Sequence, residues 1–144
     1  MRVARSRTLS APAPAVWRVL ADPYALPRWW PLVRRVEGVG PRGWTTVLGK
    51  PGSRGVRADQ RLEASEPERL RRWALVVPDS PFERVLRASV TEARLEPAAG
   101  GTRLTLELSQ AAHGWARLGW VMLRRAGRRQ LDEALDGMAH AVEG

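Results

Sequence analysis

Between residues 56 and 64 the chain alternates strictly: Val56, Ala58, Gln60, Leu62 and Ala64 fall on one side, Arg57, Asp59, Arg61 and Glu63 on the other. Period two with one charged side is the signature of a strand that has one wet face and one covered face. The same period extends over most of residues 32–110. Runs at 32–39, 44–49, 56–64, 70–77, 83–95 and 102–110 are separated by Gly-Pro-Arg-Gly at 40–43, Lys-Pro-Gly-Ser-Arg-Gly at 50–55, Pro-Asp-Ser-Pro at 78–81 and a Pro/Gly turn at 97–101. Trp73, Leu75 and Val77 then face inward from one run, and Leu104, Leu106 and Leu108 from another. The 83–95 run alternates weakly, which leaves the facing of Arg87 and Thr91 open and suggests a bulge.

The two ends read differently. Residues 2–10 alternate as a first strand whose facing the pattern leaves open, because Arg5 and Arg7 share a side with Val3 and Leu9. Ser10 is positioned as an N-cap ahead of Pro12 and Pro14, and a short helix through Val16, Trp17, Val19 and Leu20 should close at Asp22-Pro23. Tyr24, Leu26, Trp29 and Trp30 continue as a second short helix stopped by Pro31. After Gly114 the period becomes helical: Trp120, Leu123, Gly127, Leu131, Leu135, Met138 and Val142 form one stripe. That helix carries Arg117, Arg124, Arg125, Arg128 and Arg129 in its first half and Asp132, Glu133, Asp136 and Glu143 in its second. The order opposes the helix dipole, a hint that the arginines have another use. One narrow helix facing a six- or seven-stranded sheet, which must twist and curl, cannot fill the concave side, so a cavity is expected.

Length and composition then narrow the picture. With 144 residues and 44% apolar content, one domain spanning residues 1–144 is expected. No cysteine is present, which removes disulfides and thiolate metal sites. Neither a signal-peptide core nor a membrane-length apolar run occurs, so a cytoplasmic protein is the default reading. The formal net charge is +9, and Lys50 is the only lysine beside 23 arginines. Because these are spread along the chain rather than gathered in a tail, they read as a solvated surface with compositional bias, and nucleic acid is not the favoured partner.

The stretch SRTLSAPAPAVWRVLADPYALPRWWPLVRRVEGV resembles the opening of the START-like or Bet v1-like superfamily, the polyketide cyclase/dehydrase and lipid-transport (SRPBCC) proteins. The resemblance is carried by Val16-Trp17, Leu20, Asp22-Pro23 and Trp29-Trp30-Pro31, and the later strands and last helix agree with it. It implies an α+β helix-grip fold: two short helices after strand one, then a curved antiparallel sheet of six or seven strands wrapped around a long C-terminal helix. It also implies a hydrophobic pocket between sheet and helix. Such proteins include carriers, receptors, cyclases and co-chaperones, and the fold does not choose among them.

Candidate chemistry is sparse. His113 and His140 lie at opposite ends of the last helix without ligand spacing, so no metal is expected, and no cofactor motif or nucleophile elbow occurs. The seven tryptophans stand out beside one Phe and one Tyr. Trp73 and Trp120 are the candidate pocket walls, and Trp44 and Trp115 the candidate rim. Gln60, alone among apolar neighbours, either orients a ligand's polar end or is bonded within the core. Arg87, if it enters the pocket, could pair with a carboxylate or enolate. The expected wall is Gln60, Leu62, Trp73, Leu75, Leu104, Leu106, Trp120, Leu123 and Gly127, with Gly127 leaving room under the helix.

The leading reading is a carrier or sensor of an apolar or aromatic small molecule, acting as monomer or homodimer. An enzyme of cyclase or dehydratase type, polarising a carbonyl with Arg87 or Gln60, is the alternative. A third reading is a basic module docking on a membrane surface or RNA through the arginines of the last helix.

Overall fold

Seven alternating runs pair into an antiparallel sheet in the computed structural model, which describes residues 1–114 and 119–143. Strand β1 (Arg2–Leu9) leads into helix α1 (Ala13–Leu20), a 3-10 turn at Pro23–Ala25 and helix α2 (Leu26–Trp29). Strands β2 (Val33–Gly40), β3 (Gly43–Leu48), β4 (Val56–Glu66), β5 (Leu70–Leu75), β6 (Leu86–Ala98) and β7 (Gly101–Ala112) follow, then helix α3 (Trp120–Glu143). The strands lie in the order β1-β7-β6-β5-β4-β3-β2, so β1 and β2 are the edges. The architecture is the curved sheet and long helix that the resemblance implied.

Local chemistry sets the breaks. Pro14 occupies the first turn of α1, where its missing N–H costs nothing. Ser10 does not cap that helix, contrary to the sequence expectation. Pro12 occupies the N-cap position without a side-chain capping bond, and the Ser10 backbone N–H instead donates to Glu143 at 2.7 Å, tying the end of β1 to the end of α3. Asp22 does cap, accepting from the Tyr24 N–H at 3.0 Å. Residues 83–85, expected as strand, are turns closed by Val85 and Leu86 N–H bonds to the Phe82 carbonyl, and the expected bulge falls between Leu86 and Ala88.

Helix α3 is seated on one side of the sheet. Leu131 and Met138 are fully buried, with Leu104 and Leu106 of β7 and Leu9 of β1 buried in the same core. Two glycines bring the helix close. A Cβ at Gly127 would stand 3.2 Å from Val3 Cγ2, and one at Gly137 would stand 2.4 Å from the Trp29 carbonyl oxygen. The facing of β1 is settled by charge. Arg5 forms a two-pronged pair with Asp132 at 2.9 and 3.0 Å, and Arg7 reaches Asp136 at 2.5 Å. The acidic second half of α3 therefore answers the arginines of the edge strand.

The convex face carries a ladder of charges. Glu92 of β6 lies directly opposite Glu107 of β7. Two facing carboxylates would repel, but Arg72 and Arg94 both pair with Glu92, Arg94 also reaches Glu107 at 3.4 Å, and Arg2 closes on Glu107 at 3.1 Å. Burial pulls the Glu92 carboxyl pKa upward, but the hydrogen bonds and charges of Arg72 and Arg94 outweigh it and hold it below the ordinary value.

Two outcomes follow for stability. Glu92→Gln should lower unfolding free energy at neutral pH by about 1 kcal/mol, since its partners are part-exposed. A carboxylate with a depressed folded pKa stabilises above its unfolded pKa and loses that contribution as pH falls through the folded value. Denaturant titrations should therefore show wild type and Glu92→Gln converging in strong acid, and a difference that stayed constant with pH would contradict the ladder's role. Gly137→Ala should cost about 1–3 kcal/mol by forcing α3 off α2; an unchanged melting temperature would show that the contact can relax.

Candidate ligand cavity

The register stacks residues of one face into rows. Trp44 of β3 pairs with Gln60 of β4, which pairs with Leu75 of β5. Trp73 of β5 pairs with Thr91 of β6, which pairs with Leu108 of β7. Thr46 faces Ala58, and Ser89 faces Gln110. These rows form the floor of a cavity of about 170 Å³ on the concave side. Leu26 and Trp30 wall it from the α2 segment, Val33 and Leu48 from β2 and β3, Phe82 and Leu86 from the β5–β6 side, and Gln130 from α3. A cavity near 150 Å³ with apolar walls holds a benzene-sized guest. The space therefore suits a molecule of one or two rings.

An aromatic chain runs along one wall. Trp29 meets Trp30 edge-on at 5.3 Å, Trp30 meets Trp73 at 6.0 Å, and Trp73 meets Trp44 at 6.1 Å. Edge and tilted contacts of this kind add attraction beyond the area they bury. The chain ends at Arg71, whose guanidinium lies 5.5 Å over the Trp44 ring and donates to Ser65 at 3.2 Å. Burial pulls the Arg71 pKa below the ordinary arginine value, with Asp22 opposing that shift. Arg71 adjoins Trp44, Trp73 and Leu26, yet it does not line the cavity.

The polar lining is uncharged. It consists of the amides of Gln60, Gln110 and Gln130, the hydroxyls of Thr46, Ser89 and Thr91 and the indole N–H groups of the tryptophans, and among the described residues no ionisable side chain lines the cavity. Some of these groups are already engaged: Thr46 donates to the Ala58 carbonyl at 3.2 Å, and Gln110 donates to Ser89 at 3.2 Å. No group of three His, Asp or Glu residues suited to a metal ion occurs among the described residues.

Of the residues expected to wall the cavity, Gln60, Trp73 and Leu75 line it. The rest are displaced, each for a physical reason. Leu62 shares the row of Trp73 but lies at a register shift, half-buried against the core. Leu104 and Leu106 do face inward, but α3 sits directly over that part of β7, and both are fully buried. Gly127 does not open onto the cavity: an added Cβ would meet Val3 at 3.2 Å and Leu108 and Met1 at 3.5 Å. Leu123 is half-buried outside the lining, and Trp120 lies farther toward the helix start, 51% exposed beneath Arg124. Arg87 follows the bulge onto the convex face, where it lines a cleft with Arg61 and Glu63. Trp44 is buried wall rather than rim, and Trp115 lies outside the described residues, as does Arg117.

Sequence reasoning missed Trp30, Thr46, Thr91, Gln110 and Gln130 as lining. Strict alternation from Trp44 would have placed Thr46 on the same side, but the facing of Thr91 depends on the bulge downstream of Leu86. Gln130 belongs to no apolar stripe, and only the seat of α3 turns it toward the cavity.

The fold recurs in solved structures. The START superfamily protein from Mycobacterium smegmatis superposes with a TM-score of 0.78 at 13% identity, covering 99% of this chain and 97% of that one. A Nitrosomonas europaea protein gives 0.76 at 19% identity, covering 99% and 94%. The di-domain aromatase/cyclase BexL of the BE-7585A biosynthetic pathway gives 0.80 at 22% identity, and 99% of this chain spans 46% of that longer one. No curated protein matches the chain in sequence. A family model described as polyketide cyclase / dehydrase and lipid transport matches residues 1–143, and with the helix-grip architecture around a wall of tryptophans, it places this chain in that family.

Proposed function

We propose that the protein binds a neutral, aromatic or otherwise apolar small molecule in the concave cavity, as a carrier or sensor. The observation that carries this reading is the character of the lining: four aromatic side chains, aliphatic side chains, and polar groups that are all uncharged, namely amides, hydroxyls and indole N–H groups. Such groups direct carbonyl or hydroxyl oxygens of a guest without a counter-charge. A carboxylate or ammonium placed there would lose its hydration with nothing to replace it. The driving force is burial of apolar area, at about 25 cal/mol per Å², reduced by the ordering of both partners. Chemistry on a polyketide-like chain, the alternative that the family description keeps open, would draw on Gln60 rather than Arg87, which is on the other face of the sheet. We also take residues 1–144 as one domain, in keeping with the reach of the family match.

Calorimetry with matched pairs tests the reading. The wild type should bind 1-naphthol at least about tenfold more tightly than 1-naphthoate, because the carboxylate finds no cation in the lining. Gln60→Leu should weaken naphthol while sparing naphthalene, and Leu75→Trp should block both by filling the floor. Equal or tighter binding of the carboxylate, or binding that survives Leu75→Trp unchanged, would sink the proposal.

A further inference from the structure

The first three residues of α3 are all exposed. Trp120, Val121 and Met122 are 51%, 58% and 76% exposed. Successive helical residues turn by about 100°, so exposure of three in a row means that the helix start projects beyond the sheet. Among the described residues, three of the seven large hydrophobics left exposed are these consecutive positions. Leu123 is half-buried, and full burial begins at Gly127.

The same segment is strongly basic. Residues 120–130 contain Arg124, Arg125, Arg128 and Arg129 and no acid. None of the four is ion-paired among the described residues, whereas Asp132 and Asp136 farther along are held by Arg5 and Arg7. Arg124 lies 5.6 Å over the Trp120 ring, which keeps its charge beside the apolar tip. The amino end of a helix adds partial positive charge of its own. An apolar tip that includes an indole and is backed by fixed positive charge complements one kind of surface well: a bilayer with anionic headgroups, where aromatic rings settle at the interface and arginines meet phosphate. A nucleic acid would use the arginines but has no use for Val121 and Met122.

We propose that the start of α3 is a membrane-docking tip, inserting Trp120, Val121 and Met122 into the interface of an anionic bilayer while Arg124, Arg125, Arg128 and Arg129 hold the headgroups. This surface is separate from the cavity lining, and it stands or falls independently of what the cavity holds. Gln130, which lines the cavity, follows on the same helix, so a docked protein would present that side of its cavity near the lipid.

Co-sedimentation of the full chain with vesicles decides the matter. The protein should pellet with phosphatidylcholine vesicles containing phosphatidylglycerol and stay soluble with pure phosphatidylcholine. Raising salt from about 0.05 to about 0.5 M should release it. Val121→Ser/Met122→Ser should lower partitioning at least about tenfold, and each Arg→Gln change at 125 or 129 about fivefold. These side chains are exposed, so melting temperatures should match wild type and separate lost docking from lost folding. The proposal fails if wild type ignores anionic vesicles, or if the Ser variants partition as wild type does. It fails equally if the arginines retain poly(U) RNA without vesicle binding, or if the tip mediates a concentration-dependent dimer and binds no lipid.

Discussion

The position of α3 over the sheet governs everything else in this molecule. Its second half is clamped to β1, β7 and α2 by buried Leu131, Leu135 and Met138 and by the close approach at Gly127 and Gly137. The pairs Arg5–Asp132 and Arg7–Asp136 add orientation more than stability, because exposed ion pairs are screened by solvent. A helix held on the β1 side cannot also cover β3 to β6. The hollow over those strands and the bare first turn of the helix are two consequences of the same seat.

The sequence was most legible where the signal is local. Period-two alternation located the strands, prolines and glycines located the breaks, and the Val16-Trp17 to Pro31 stretch pointed to the fold. What local pattern could not supply was order across the sheet. Leu104, Leu106, Trp73 and Leu75 are equivalent by alternation, yet the first two lie on the strand next to β1 and the last two on β5, near the middle. That difference decides which leucines are core beneath the helix and which are wall. The helix stripe was likewise read correctly as a stripe but ran past the sheet, which is why Trp120 is exposed. Arg87 was displaced by a single irregularity, the shift between Leu86 and Ala88, because one inserted residue exchanges the faces of a strand.

The reversed charge order of α3, unfavourable for its own dipole, makes sense once the partners are in view. The acids belong with the arginines of an edge strand whose inner face would otherwise be two uncompensated cations. An arginine on the inner face of an edge strand also discourages strand addition by another chain. The arginines of the first half have no such local answer among the described residues, and their position beside the exposed tip sets them apart from the dispersed basic surface elsewhere.

The separation of Arg71 from the cavity bears on what the cavity can accept. A buried guanidinium so close would be the natural partner for a carboxylate guest, and its desolvation would favour such pairing. Instead Leu26, Trp44 and Trp73 line both the cavity and the small space that Arg71 occupies, and so form a partition between them. The Trp44 ring face meets the cation at 5.5 Å, a contact that offsets part of the burial cost without placing charge in the lining. Those tryptophans thus do two things at once: they supply flat apolar surface to a guest, and they keep the nearest buried positive charge out of the guest's reach. A site arranged in this way selects on polarity before shape, and any oxygen atom it accepts must be one that an amide, a hydroxyl or an indole N–H can satisfy.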